Sequence, residues 1–107
     1  MRKIEQAIIA AMKEGKALKS GSRDEVRIVN PQGAAIYCLH GTPVAVWNPV
    51  ARLLVLGVDG GEWSTNTTKS RINSIARAFG VQGIHQKDFS WTWDDGTPYY
   101  GDRTFQV

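Results

Sequence analysis

The chain has 107 residues, a formal net charge of +3 and a single cysteine. This length suits one domain with one core, and a content of 42% apolar and 21% charged residues is typical of a folded protein. An intramolecular disulfide and a cysteine-based zinc site are excluded, and no apolar run approaches the roughly 20 residues of a membrane-spanning helix. We therefore expect one soluble domain over residues 1–107, without signal peptide or anchor, in the reducing cytoplasm.

Charge is distributed unevenly along the chain. Residues 1–23 carry six cations and two acids, and residues 63–87 carry four cations and no acid. Residues 88–107 carry four acids and one cation. Because the basic segments coincide with the two predicted helices, we expect a two-faced molecule, for which polyanion binding is worth testing.

The N-terminal segment predicts an amphipathic helix. Its apolar residues recur at steps of three and four and form one stripe that faces the core, namely Ile4, Ala7, Ile8, Ala11 and Met12. Glu5 and the lysines are expected on the opposite face. Gly15 and the following KSGS run predict that the helix ends between residues 15 and 20.

Residues 24–58 change to a period of two. The runs EVRIVN, AAIYCLHG, TPVAVWN and ARLLVLGV predict four short strands joined by turns too short for crossovers, and hence an antiparallel meander. LLVLGV is apolar throughout and is predicted to be the most central strand. Cys38 lies within the second run, where a buried and unreactive thiol is expected.

The stretch GGEWSTNTTKSRINSIARAFG, residues 60–80, predicts the second helix. Four apolar residues at helical spacing are expected to face the sheet, and Gly80 stands at a helix stop; the four are Ile72, Ile75, Ala76 and Phe79. Every residue of 64–67 is a competent N-cap. The two glycines before them are read as turn residues, because the spacing of a phosphate-binding loop is absent.

Alternation returns after Gly80 and places three aromatic residues on one strand face. On an exposed sheet face this row would form a base-stacking platform, but because the apolar stripes of two helices need a partner surface, Phe89 and Trp91 are predicted to lie in the core beneath the helices. Trp93, beside the hairpin signal Asp-Asp-Gly, is either core or a half-buried anchor for a protein partner. The last residues, GDRTFQV, either add a short edge strand or remain loose.

These elements predict an α+β fold in the order α-β-β-β-β-α-β-β. The antiparallel sheet has about five to seven short strands, and two helices pack on one of its faces. No repeat or linker indicates a second domain.

Catalytic and metal-binding patterns are weak. His40 and His85 have no metal-ligand partner at helical or hairpin spacing, and His40 is most simply a turn residue. Asp94 and Asp95 are adjacent in a predicted turn, where aspartate is favoured for local hydrogen bonding. We therefore expect no enzyme activity, no metal and no cofactor.

The basic helix is the sharpest functional feature. Lys69, Arg71 and Arg77 lie off the apolar stripe, so they are expected on the sides and outside of the helix. Three interpretations stay open for them: solvated charge, contact with a polyanion, or contact with an acidic protein surface.

The order of motifs resembles a group of small accessory proteins encoded by tailed bacteriophages. The shared features are a strand ending in Leu-His-Gly, a Gly-x-Trp motif before the second helix, a Thr-Thr-Lys-x-Arg-Ile-Asn helix and a Gln-Lys-x-Phe-x-Trp strand. Together they cover roughly residues 36–93. The resemblance implies a non-enzymatic phage protein that binds a host or defence-system component, comparable in size to small anti-CRISPR and anti-defence proteins.

We therefore expect a protein that binds a host or anti-phage-defence protein or ribonucleoprotein in the host cytoplasm. The alternative is a small basic protein that binds nucleic acid through the same cations. The predicted contact residues are Trp63, Lys69, Arg71, Asn73, Arg77, Lys87 and Trp93.

Overall fold

The computed structural model describes residues 2–58 and 65–107. Within these ranges the chain forms two helices and eight strands: α1 (Lys3–Glu14), β1 (Leu18–Ser20), β2 (Asp24–Ile28), β3 (Ala35–Leu39), β4 (Thr42–Asn48), β5 (Leu53–Leu56), α2 (Asn66–Phe79), β6 (Ile84–Lys87), β7 (Ser90–Trp93) and β8 (Arg103–Gln106). The predicted α+β class and order of elements are confirmed, with β1 as an additional strand. Neither helix is long and apolar enough to cross a membrane.

Six of the strands form one antiparallel sheet in the order β1-β2-β3-β4-β5-β8, and β6 and β7 form a separate hairpin. The first five strands follow one another as the predicted meander. The C-terminal residues add the edge strand β8 against β5. The prediction that β5 is the most central strand is wrong, because four strands lie on one side of it and only β8 on the other.

Both helices pack on one face of the six-stranded sheet. Val26, Tyr37, Ala45 and Leu56 stand side by side in register on four neighbouring strands, and each is at most 1% exposed. The α2 stripe predicted from periodicity lies in the same hydrophobic cluster. Burial of this shared face is the main apolar contribution to the fold.

Each helix ends at a glycine in the left-handed conformation. Gly15 closes α1 with φ of 69°, and Gly80 closes α2 with φ of 74°. At the start of α2, Thr65 is the N-cap, and its hydroxyl accepts a hydrogen bond from the backbone N–H of Thr68 at 3.1 Å. Helix α1 ends at Glu14, one residue before the predicted range of 15–20, and Gly15 is its C-cap.

The aromatic residues of the hairpin are buried in the reverse of the predicted order. Phe89 is 96% exposed and Trp91 is half-buried, whereas Trp93 is 2% exposed. Asp88 and Phe89 form the two-residue turn between β6 and β7, so Phe89 leaves the strand face that it was predicted to share. Trp93 packs against Tyr99 and Phe105, with ring centroids 5.3 and 5.6 Å away.

Candidate functional site

Arg71, predicted to lie on the outside of α2, is the most deeply buried charged residue of the described chain. Its relative exposure is 0%, and its guanidinium contacts two carboxylates from distant elements. Nη1 donates to Glu5 on α1 at 2.9 Å, and Nε donates to Asp24 on β2 at 3.0 Å. The predicted position of Arg71 on the exposed side of α2 is therefore wrong, because the side chain is fully buried and its guanidinium donates to Glu5 and Asp24.

Glu5 was predicted on the solvent face of α1, and this too is wrong. It is 3% exposed and accepts hydrogen bonds from Ser70 at 2.6 Å, Ser74 at 2.8 Å and Arg71. Burial by itself raises the pKa of a carboxyl, but these donors outweigh burial, so the pKa of Glu5 lies below its ordinary value of 4.5. Glu5 is thus held as a carboxylate.

Asp24 completes this ionic network from the sheet side. Its carboxylate accepts from Tyr37 Oη at 2.6 Å and from Arg23 Nε at 3.0 Å, in addition to Arg71. Burial again opposes ionisation, yet Arg71 and the other donors leave the pKa of Asp24 below its ordinary value of 3.8. Burial and the neighbouring Asp24 carboxylate raise the pKa of Tyr37, which therefore stays a neutral donor.

An open groove of about 560 Å³ lies over this network, between the start of α1 and the outer side of α2. We call it the α2 groove; its lining residues are Arg2, Glu5, Lys69, Ser70, Asn73, Ser74 and Arg77. Arg77 is exposed and Lys69 half-buried, and within residues 2–58 and 65–107 neither forms an ion pair. Glu5 is the one acid of the lining and is paired with Arg71, so among the described residues the lining, with Arg2, Lys69 and Arg77, has an excess of positive charge.

Asn73 lines the groove but uses its amide inside the protein. Its Nδ2 donates to the carbonyl of Ile84 at 2.9 Å, and its Oδ1 accepts from the N–H of Ile84 at 2.8 Å. The Asn73 amide thus pairs with both backbone polar groups of Ile84, as a neighbouring strand would, and links the β6–β7 hairpin to α2. Gly83 is required beside it, because a Cβ there would collide with the Asn73 side chain.

Lys87 and Trp93, two of the remaining predicted contact residues, do not line the groove. Lys87 is exposed at the end of β6, Trp93 is buried, and Trp63 falls outside the described residues. The structure thus brings together Lys69, Asn73 and Arg77 and separates Lys87 from them. Burial excludes Trp93 as a half-exposed anchor in this conformation.

The residues considered for chemistry serve local structure. His40 has φ of 52° in the two-residue turn between β3 and β4, which confirms it as a turn residue. Asp94 accepts from the N–H of Gly83 and lies 3.0 Å from His85 Nδ1, and Asp95 accepts from Thr97 and Arg103. Across the described ranges, no group of three His, Cys, Asp or Glu residues could hold a metal ion.

Comparison with known protein families relates this chain to a phage protein family. The model of the family described as "Kyanoviridae Gp96 protein" matches residues 1–106, almost the whole chain. The chain belongs to the Kyanoviridae Gp96 family. This family comes from tailed cyanophages, which confirms the phage origin implied by the motif order. Searches among curated proteins and among solved structures give no match for this Gp96 family member.

Four groove residues of this Gp96 protein were not among the predicted contacts, namely Arg2, Glu5, Ser70 and Ser74. Arg2 belongs to the basic N-terminal cluster, but no local pattern places the start of α1 against α2. Ser70 precedes Arg71 on α2 and donates to Glu5, 65 residues away. The only sequence signal for Ser70 was the large number of Ser and Thr residues near the start of α2. Such residues by themselves indicate a helix N-cap.

Proposed function

We propose that this Gp96 family protein acts by stoichiometric binding rather than by catalysis. Its partner is a host or anti-phage-defence protein or ribonucleoprotein in the host cytoplasm, and the α2 groove is the contact surface. The observation that supports the proposal is a cationic groove, with Arg2, Lys69 and Arg77 on its lining, above acids that are fully engaged. Complementary charge of this kind favours rapid and selective docking of an acidic surface.

The rigidity of the groove floor supports a binding role. Arg71 joins α2 to α1 and to β2, so the cations project from a platform that does not need to form during binding. Preorganisation reduces the entropic cost of association. The buried carboxylates below are shielded and saturated with hydrogen bonds, which suits a structural role better than general acid–base catalysis.

Direct binding of nucleic acid is the second candidate function. Lys69 and Arg77 are eight residues apart on α2, a rise of about 12 Å along the helix axis. Cationic side chains in an open groove are typical contacts for phosphate oxygens. The same residues therefore serve either an acidic protein surface or a sugar–phosphate backbone, and salt dependence separates the two.

The test compares wild-type protein with the double variant Lys69→Glu/Arg77→Glu. Lys16→Glu/Lys19→Glu, at exposed lysines outside the groove, is the matched control. Labelled single- and double-stranded DNA and RNA oligonucleotides are titrated at about 50 and about 200 mM salt. Nucleic-acid binding is established if wild type and control bind the oligonucleotides at the lower salt. Binding must also fall steeply at the higher salt and in the groove variant, for every sequence tested. No retention at the lower salt excludes it.

Protein binding is tested by affinity purification from infected cells that express their defence systems. A partner retained by wild type and by the control, lost in the groove variant, and bound at a fixed molar ratio in calorimetry is the expected result. Absence of any partner, or equal recovery by the groove variant, contradicts the proposal.

A further inference from the structure

The end of the β6–β7 hairpin carries the two most exposed aromatic side chains of the described protein. Phe89 is 96% exposed and Tyr100 is 86% exposed. They lie at the same end because the segment after Gly96 runs back along β7: Thr92 pairs with Pro98, and the N–H of Tyr99 donates to Trp91 at 3.0 Å. Continued by two residues, the Thr92–Pro98 register brings Tyr100 opposite Ser90, the neighbour of Phe89. We call Phe89 and Tyr100 the aromatic tip.

Phe89 occupies a backbone position that does not favour a large side chain. Lys87 pairs with Ser90, so Asp88 and Phe89 form a two-residue turn with φ of 50° and 65°. Turns with two positive φ values favour glycine at the second position. The β3–β4 turn of the same chain follows this rule with Gly41. A phenylalanine here contributes nothing to the core and is not the residue that the turn prefers.

The hairpin is fastened firmly at the opposite end from the tip. Asn73 clamps Ile84 through two hydrogen bonds, and Asp94 accepts from the N–H of Gly83 at 3.0 Å. Trp93 is buried against Tyr99 and Phe105. A braced hairpin presents its tip in one orientation, which lowers the entropy lost when the tip is bound.

We propose that the aromatic tip inserts into an apolar pocket with a basic rim on a partner protein. The proposal rests on the binding role given above but uses a different surface. Aromatic anchors that fill a pocket dominate many protein interfaces. Asp88 lies in the turn and Asp102 follows two residues after Tyr100, whereas Lys87 is the cation next to the turn, so acids outnumber cations by one among these three residues. This negative balance disfavours the phosphates of nucleic acid and anionic lipid and favours a cationic protein rim.

The first measurement separates an anchor from a structural residue. Phe89→Gly is expected to raise the melting temperature by about 4 °C, because glycine adopts the turn without steric cost. The same variant is expected to lose binding to the partner protein. A lower melting temperature shows that Phe89 supports the fold and overturns the proposal.

The second measurement identifies the class of partner. Phe89→p-benzoylphenylalanine is produced in infected cells and irradiated, with Val50→p-benzoylphenylalanine as control, because Val50 is 72% exposed in the β4–β5 turn. The expected result is one discrete adduct with another protein at position 89, absent at position 50 and at least tenfold weaker when Tyr100→Ala is added. Equal adducts at both positions, no adduct, or an adduct with nucleic acid, lipid or a second copy of this chain overturns the proposal.

The two binding surfaces are then tested separately on the captured protein. Loss of binding in Phe89→Gly supports the tip, and unchanged binding overturns it. Lys69→Glu/Arg77→Glu reports on the groove in the same assay, so the failure of one proposal is distinguishable from the failure of the other.

Discussion

Arg71 Nη1 lies 2.9 Å from Glu5 Oε2, and this buried ion pair ties the middle of α2 to the first turn of α1 across 66 residues of chain. The same guanidinium reaches Asp24 on β2. One side chain therefore connects both helices to the sheet. The packing of the two helices depends on this polar junction as well as on the apolar face around it.

Replacement of Arg71 by methionine is expected to destabilise the protein strongly. Arg71→Met keeps an unbranched side chain but leaves the Glu5 and Asp24 carboxylates buried without their cation, a change that typically costs about 3–5 kcal/mol. The free energy of unfolding from urea titration is the measurement. Arg77→Met, on the exposed side of the same helix, is the control and is expected to change it by less than about 0.5 kcal/mol. Equal effects of the two variants contradict the role assigned to Arg71.

Stability is expected to fall at acid pH. The folded-state pKa values of Glu5 and Asp24 lie below their ordinary values of 4.5 and 3.8, so the unfolded chain binds more protons in this range. The contribution of both groups is complete above about pH 5 and is lost as pH falls through the folded-state values, with a slope of up to about 1.4 kcal/mol per pH unit for each group.

The variant Glu5→Gln tests this acid dependence. Glutamine does not titrate, so the variant is expected to be less stable at neutral pH and to show a shallower decline below about pH 5. Glu25→Gln, at a carboxylate on the opposite sheet face, is the control. Urea titrations at several pH values give the comparison, and parallel profiles for wild type and Glu5→Gln contradict the prediction.

The parts of the fold that depend on local periodicity were predictable. The stripe of Ile72, Ile75 and Phe79 needs only a helix and an apolar surface to face, and both follow from the sequence. Arg71 could not be placed in this way. Its burial depends on two acids that are 47 and 66 residues distant, and the same helical sequence without them would keep Arg71 in water.

The hairpin was misread because its turn has no glycine. Alternation continues through Asp88 and Phe89, so the sequence does not mark where β6 ends and β7 begins. β1 was missed because three residues beside a glycine-serine turn carry too little pattern. Within the candidate site, Lys69 and Arg77 were predictable as helix-surface cations, whereas the contribution of Arg2 required the packing of α1 against α2.

Loss of the Asn73 amide is expected to loosen the hairpin selectively. Asn73→Ala leaves the N–H and the carbonyl of Ile84 without their partner, which costs about 1–3 kcal/mol for a buried group. Amide hydrogen exchange is expected to accelerate at Ile84 and along β6 before the main sheet is affected. Lys69→Ala, on the same groove, is the control. Uniform acceleration in all strands would show that Asn73 supports the whole domain instead.

Cys38 is expected to be unreactive in the folded protein. The thiol is 1% exposed, and burial raises its pKa, so both access and the thiolate fraction needed for reaction are low. Ellman's reagent should modify it only after unfolding in guanidinium chloride. Ser22→Cys, at an exposed turn position, supplies a matched thiol that reacts at once in native buffer. Reaction of native wild type at the rate of the Ser22→Cys variant would contradict the burial of Cys38, since only an opening of β3 exposes the sulfur.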